Sequence, residues 1–100
     1  MSVRPDRAYK VLTGDQWVQF ERDGIFAGAP VDLADGYIHL STADQLAETI
    51  ARHFAGQTGL VTLCVDLTAL SDVRWEVSRG GQLVPHVYGP LPLAAVTRTG

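Results

Sequence analysis

The sequence predicts an α+β domain in which the helices come early and most of the strands come late. Three observations carry this. Residues 42–55 hold Ala43, Leu46, Ala47, Ile50, Ala51 and Phe54 at helical spacing, with Asp44, Glu48 and Arg52 opposite. Residues 60–67 form a nearly continuous apolar run, rich in Val and Leu and too short for a long helix, which reads as a central strand buried on both faces. The segments that follow are short and extended, joined by hairpin-length connections and not by the helices of a βαβ pattern. At 100 residues the chain makes one domain, 1–100, since halves would be too small to bury a core without disulfides or metals. With 46% hydrophobic and 19% charged residues it lacks the charge excess of a disordered chain.

Taken in order, residues 1–7 read as a flexible N-terminus and 8–12 as a first strand. Thr13 and Gln16 have capping-box spacing, and Trp17, Val18 and Phe20 continue as a short helix that Gly24 closes with a left-handed residue. Residues 25–30 link this helix to 31–35, one helical turn. Asp35-Gly36 is a turn dipeptide, and Tyr37 to Leu40 has the aromatic and branched residues of a short strand. Ser41 and Thr42 each stand three residues before a polar partner, Asp44 and Gln45, which is again the capping-box spacing, so the helix over 42–55 is expected to open there. Arg52 and His53 suit its C-terminal dipole, His53 as a solvated residue, and Gly56 stops it. Residues 66–72 turn the chain. Val73, Trp75 and Val77 point one way and Arg74 and Glu76 the other. Residues 82–87 read as a strand interrupted by Pro85, Tyr88-Gly89-Pro90 as a turn, and 93–97 as the last strand.

Composition narrows the function classes. A net charge of −3 argues against a general attraction to phosphate backbones, so nucleic acid is not an expected partner. Arg4, Arg7 and Lys10 are the one basic group close together and read as a solvated end. Cys64 is the single cysteine and lies in the 60–67 run, which indicates a structural thiol and no disulfide framework. No stretch approaches the roughly 20 apolar residues of a membrane span and the N-terminus has no apolar leader, so a cytoplasmic protein with no membrane partner is expected. No glycine-rich fingerprint follows a strand, which excludes a Rossmann domain.

The uncommon polar residues gather in three stretches: His39-Leu40-Ser41-Thr42, Arg74-Trp75-Glu76 and Pro85-His86-Val87-Tyr88-Gly89. Histidine and glutamate in the strands of a small sheet are costly unless paired or solvated, so their coincidence points to one cleft. His39 beside a helix N-terminus suits an anionic or polar ligand. A salt bridge between same-face Arg74 and Glu76, a half-exposed turn histidine at 86 beside Pro85 and an aromatic lid at Tyr88 are the plain structural alternatives. His39, His86 and Glu76 do not have the spacing of a recurring zinc site, and no metal is expected. A general acid or base role is open to each of the three.

Tyr9, the segment Asp35-Gly36-Tyr37-Ile38-His39-Leu40-Ser41-Thr42 with Gln45, the Arg74-Trp75-Glu76 strand and Pro85-His86-Val87-Tyr88-Gly89-Pro90-Leu91 together resemble the DUF952 family of small uncharacterised bacterial proteins. That family is similar in fold to the ADP-ribosyltransferase superfamily, which includes the RNA 2'-phosphotransferases and holds NAD in a cleft between two small sheets. The resemblance implies a split mixed or antiparallel sheet with one main helix and one or two short ones. It also implies an NAD or ADP-ribose type of small-molecule ligand, with transfer or hydrolysis of an ADP-ribosyl group as the activity. Lys10, Tyr37, His39, Ser41, Thr42 and Tyr88 would then bind the cofactor, with His39 and Ser41 or Thr42 on the segment contacting ribose and nicotinamide. Glu76 or His86 would hold the late catalytic position, where a carboxylate stabilises an oxocarbenium-like state. Relatives commonly carry a histidine after the first-strand tyrosine, a position that Lys10 occupies here. The alternative is a domain that binds an anion, nucleotide or partner in the same cleft without turnover.

Overall fold

The structure, a computed structural model, describes residues 5–78 and 80–100, so Arg4 and the first half of the N-terminal segment lie outside the described residues. Strand β1 (Arg7–Leu12) takes in the last residue of that segment, and the Leu67 N–H donates to the Asp6 carbonyl. Helix α1 (Gly14–Asp23) follows, then β2 (Ile25–Phe26), α2 (Pro30–Asp35), β3 (Ile38–His39) and α3 (Leu46–His53). Five further strands complete the chain: β4 (Val61–Asp66), β5 (Val73–Val77), β6 (Leu83–Val87), β7 (Leu91–Pro92) and β8 (Val96–Arg98). Among the described residues every strand pair is antiparallel, in three small sheets ordered β1-β4-β8, β2-β7 and β3-β6-β5. The two three-stranded sheets meet where Tyr9 and Ser41 exchange both backbone hydrogen bonds at 2.8 Å. The fold is α+β, and no described helix is long and apolar enough to cross a membrane.

Local chemistry sets the first helix as expected. Thr13 Oγ1 accepts from the Gln16 N–H, the Gln16 side chain accepts from the Thr13 N–H, and Gly24 closes the helix at φ 76°. The link after it is more ordered than expected, because β2 forms there and pairs with β7.

The expected helix over 42–55 is shorter and opens differently. Residues Ala43–Gln45 form a 3₁₀ turn, Thr42 makes no side-chain cap, and α3 begins only at Leu46. Ser41 is held in the bridge to Tyr9, and its hydroxyl bonds Thr49 Oγ1 at 2.9 Å, so no capping box forms and α1 is the longer helix. His53 is exposed at the end of α3, as expected.

Strand β4 is central in its sheet, yet it is buried mainly on one face: Val61, Leu63 and Val65 are buried, while Thr62, Cys64 and Asp66 are only partly covered. Cys64 therefore lies at the surface side of the strand. The last strand starts at Val96, because Leu93–Ala95 wind into a 3₁₀ turn. Pro85 sits inside β6, the middle strand of its sheet. Its carbonyl accepts from the Leu40 N–H at 3.2 Å, it has no N–H to return, and β3 ends at that point. The core is formed by Ala8, Leu12, Phe20, Phe26, Ile38, Leu40, Leu63, Val65, Val87 and Leu91, with Trp17 and Trp75 packed against it.

Candidate functional site

The register of β3, β6 and β5 builds the site. His39 stands opposite His86, and His86 opposite Arg74, so the three form one row across the sheet. Side chains two apart share a face, which adds Tyr37, Tyr88 and Glu76 to the same side. Ile38, Val87, Val73 and Trp75 turn the other way toward the core. The sheet is thus amphipathic, and its polar face carries six residues from three distant stretches.

The rings on this face touch one another. Tyr37 stacks on His86 with centroids 4.1 Å apart and an interplanar angle of 23°, and it also meets His39 at 4.7 Å and Tyr88 at 5.2 Å. His39 and His86 lie edge to face at 5.5 Å. Glu76 Oε1 accepts from Tyr88 Oη at 2.7 Å and bonds His86 Nδ1 at 2.8 Å. The Tyr88 bond, then the His86 bond, hold the Glu76 carboxyl below its ordinary range, and the same contact with Glu76 pushes the Tyr88 phenol up. Arg74 does not pair with Glu76. Its guanidinium is clasped by Asp72 at 3.1 and 3.3 Å and lies 4.0 Å above the Tyr88 ring.

Beneath His39 is a buried ionic network that the sequence did not reveal. Asp32, in α2, has a side chain only 1% exposed, and it faces Lys10, 9% exposed, at 3.0 Å. Asp32 also accepts from His39 Nδ1 at 2.6 Å, the His39 N–H at 3.1 Å and the Ala29 N–H at 2.8 Å. Burial by itself would raise the Asp32 carboxyl, but the His39 bond, the Lys10 charge and the two backbone donors outweigh it and bring it from 3.8 down to about 2. Burial lowers the Lys10 ammonium, with Asp32 pulling the other way. Lys10 Nζ donates to the His39 carbonyl as well, at 2.9 Å. The second nitrogen of His39, Nε2, meets Asp35 Oδ2 at 2.9 Å, so the ring lies between two carboxylates.

Of the residues expected in the cleft, Tyr37, His39, Glu76, His86 and Tyr88 come together, and Lys10 supports them from below. Ser41 is directed to Thr49, and Thr42 opens the 3₁₀ turn. Asp32 and Asp35 were missed. One signal for Asp32 was present: Lys10 alternates with Ala8 and Leu12 on a core-facing side of β1, and a buried lysine requires a carboxylate. Among the described residues no three His, Cys, Asp or Glu side chains are grouped to hold a metal ion. A cavity of about 270 Å³ adjoins the site at Asp72 and Tyr88, with Leu70, Val87 and Pro92 also in its wall.

Chemically, the His86–Glu76 pair resembles a carboxylate-oriented base: a neutral His86 that donates from Nδ1 to Glu76 has its basic lone pair on Nε2.

A family model described as "Protein of unknown function (DUF952)" matches residues 11–99. No curated protein matches the chain. Among solved structures, the crystal structure of protein CC0527 from Caulobacter crescentus is similar, with 47% identity, a TM-score of 0.87, and coverage of 92% of this chain and 82% of that chain. The solution NMR structure of CC0527 is similar with 46% identity and a TM-score of 0.82, covering 94% of this chain and 82% of that one. Both were structural-genomics targets.

Proposed function

The chain belongs to the DUF952 family, and we propose that the polar face of its β3-β6-β5 sheet is a small-molecule site for a ligand of the NAD or ADP-ribose class. The observation that carries the reading is the convergence of Tyr37, His39, Glu76, His86 and Tyr88, from three separate stretches, onto one cluster of four rings and the Glu76 carboxylate. Such a cluster on a small sheet is more than packing requires, since a core would be served by apolar side chains. The meeting of two three-stranded sheets at Tyr9 and Ser41 also suits a cleft-bearing fold of the ADP-ribosyltransferase kind.

The side chains suit the nicotinamide and ribose end of NAD better than its pyrophosphate. Tyr37 and Tyr88 are half-buried rings, each with one face taken by His86 or Arg74 and the rest of the ring left for a flat group, whereas Lys10 is enclosed with Asp32 and Arg74 is clasped by Asp72. When bound, NAD supplies an activated glycosidic bond. In this reading His86 Nε2 takes the proton of the incoming acceptor, Glu76 fixes the ring and balances its charge, and Tyr37 shields the pair from water.

A second reading is favoured by one specific observation. Glu76 Oε1 is already shared by His86 and Tyr88, which suits a domain that binds the same ligand without turnover.

A thermal-shift screen with NAD, ADP-ribose and nucleotides tests both. A ligand at 100 times its Kd adds about 2.7 kcal/mol, or roughly 10 °C in a domain of this size. The expected result is such a rise with NAD or ADP-ribose, lost in His39→Ala and Glu76→Gln, with nicotinamide release that His86→Gln abolishes. Binding without release in the wild type would select the second reading. No shift with any of these compounds would overturn the NAD reading.

A further inference from the structure

The charges on this face do not match the anionic ligand that a helix N-terminus and a histidine suggest. Lys10 and Asp32 neutralise one another out of solvent. The carboxylates that reach solvent are those of Asp35, Asp72 and Glu76, with side chains 43%, 45% and 39% exposed, and the exposed fixed cation among them is Arg74. His39 is held between two of the carboxylates in the site, Asp32 and Asp35.

The rings add to this bias. Tyr88 donates its phenol hydrogen to Glu76, which leaves the ring richer in electrons and its face a better seat for a cation. The protein already seats one: the Arg74 guanidinium lies 4.0 Å over the Tyr88 ring with Asp72 clasping its edge. A flat cation on a tyrosine face with a carboxylate at its rim is therefore an arrangement that this cluster forms with its own side chain.

We infer that the site selects a planar organic cation, one whose charge is spread over a flat group, such as a guanidinium or an N-alkylated heteroaromatic ring. The inference rests on the reading of this face as a ligand site and is independent of NAD as the ligand. Glu76 and Asp35 supply the countercharge, and the parts of the half-buried Tyr37 and Tyr88 rings that reach solvent supply the flat surface. One face of Tyr88 is already covered by Arg74, which is paired to Asp72, and one face of Tyr37 by His86.

The test is an NMR titration of the full chain with four probes: 1-methylnicotinamide, methylguanidine, neutral nicotinamide and anionic nicotinate. The expected result is that one or both cations perturb the amide signals of 37–39, 74–76 and 86–88 with a Kd about tenfold below that of nicotinamide, while nicotinate gives no shift. Glu76→Gln should cut the cation's advantage several-fold. Tyr88→Phe, which keeps the ring and removes the bond to Glu76, should weaken it less and guards against loss of folding in the first variant. Which cation binds separates the ring class from the guanidinium class. Binding of nicotinamide or nicotinate as tight as the cations, or an advantage unchanged in Glu76→Gln, overturns the inference, as does the absence of binding by all four probes. Cation binding without any response to NAD or ADP-ribose would uphold the inference and refute the NAD reading, and the reverse pattern would do the opposite.

Discussion

Replacing Asp32 by asparagine keeps the side chain's shape and removes its charge, which leaves the Lys10 ammonium buried without a counterion. Removing one partner of a buried pair costs about 3–5 kcal/mol, a large share of the roughly 5–15 kcal/mol that typically holds a domain together. Linkage gives an independent figure. The carboxyl lies at about 2 in the folded protein against an ordinary 3.8, and that difference corresponds to roughly 2 kcal/mol. Because the folded value is the lower one, this stabilisation is complete above about pH 4 and is lost as the pH falls through the window from 3.8 to about 2. Urea unfolding, followed by tryptophan fluorescence, should therefore show Asp32→Asn destabilised by about 3 kcal/mol at pH 7 and by little near pH 2. Pairing it with Lys10→Met should recover about 1 kcal/mol or more, since the unpaired charge is then absent. A loss below about 1 kcal/mol at pH 7, or one equal at both pH values, would refute this role for the network.

Three further outcomes follow from the geometry. In Tyr88→Phe the Glu76 carboxyl loses its principal donor and should titrate closer to the ordinary glutamate value, as read by carbon-detected NMR; an unchanged titration would mean the bond is not formed in solution. Ser41→Ala should cost about 1 kcal/mol through the lost Thr49 bond and leave ligand-induced shifts intact, whereas His39→Ala should abolish them. Gly36 ends α2 at φ 87°, and a Cβ added there would meet no atom within 4 Å, so Gly36→Ala should cost about 1–2 kcal/mol in thermal unfolding from backbone strain alone.

What was legible in the sequence followed from local rules. The Thr13–Gln16 box and Gly24 cap are settled within a few residues, and the pairs Tyr37/His39, Arg74/Glu76 and His86/Tyr88, each two apart on a strand, already announced a shared face. The same local rule failed at Ser41, where a strand bridge to Tyr9 and a bond to Thr49 compete for the residue that the spacing assigned to a cap. Lys10 on the core-facing side of β1 called for a carboxylate but did not single out Asp32, because Asp32 lies 22 residues from Lys10 and 7 from His39, and an acidic residue early in a short helix is unremarkable by itself. Pro85 looked like an interruption, yet its missing donor falls where β3 stops, so the strand continues through it.

The central claim is that the polar face of β3, β6 and β5 receives a ligand. It is tested most directly by amide chemical shifts of the wild-type chain titrated with NAD, ADP-ribose and 1-methylnicotinamide. Saturable changes concentrated at Tyr37, His39, Arg74, Glu76, His86 and Tyr88 are expected for at least one of them. Changes confined to other surfaces, or none at all up to millimolar ligand, would contradict it.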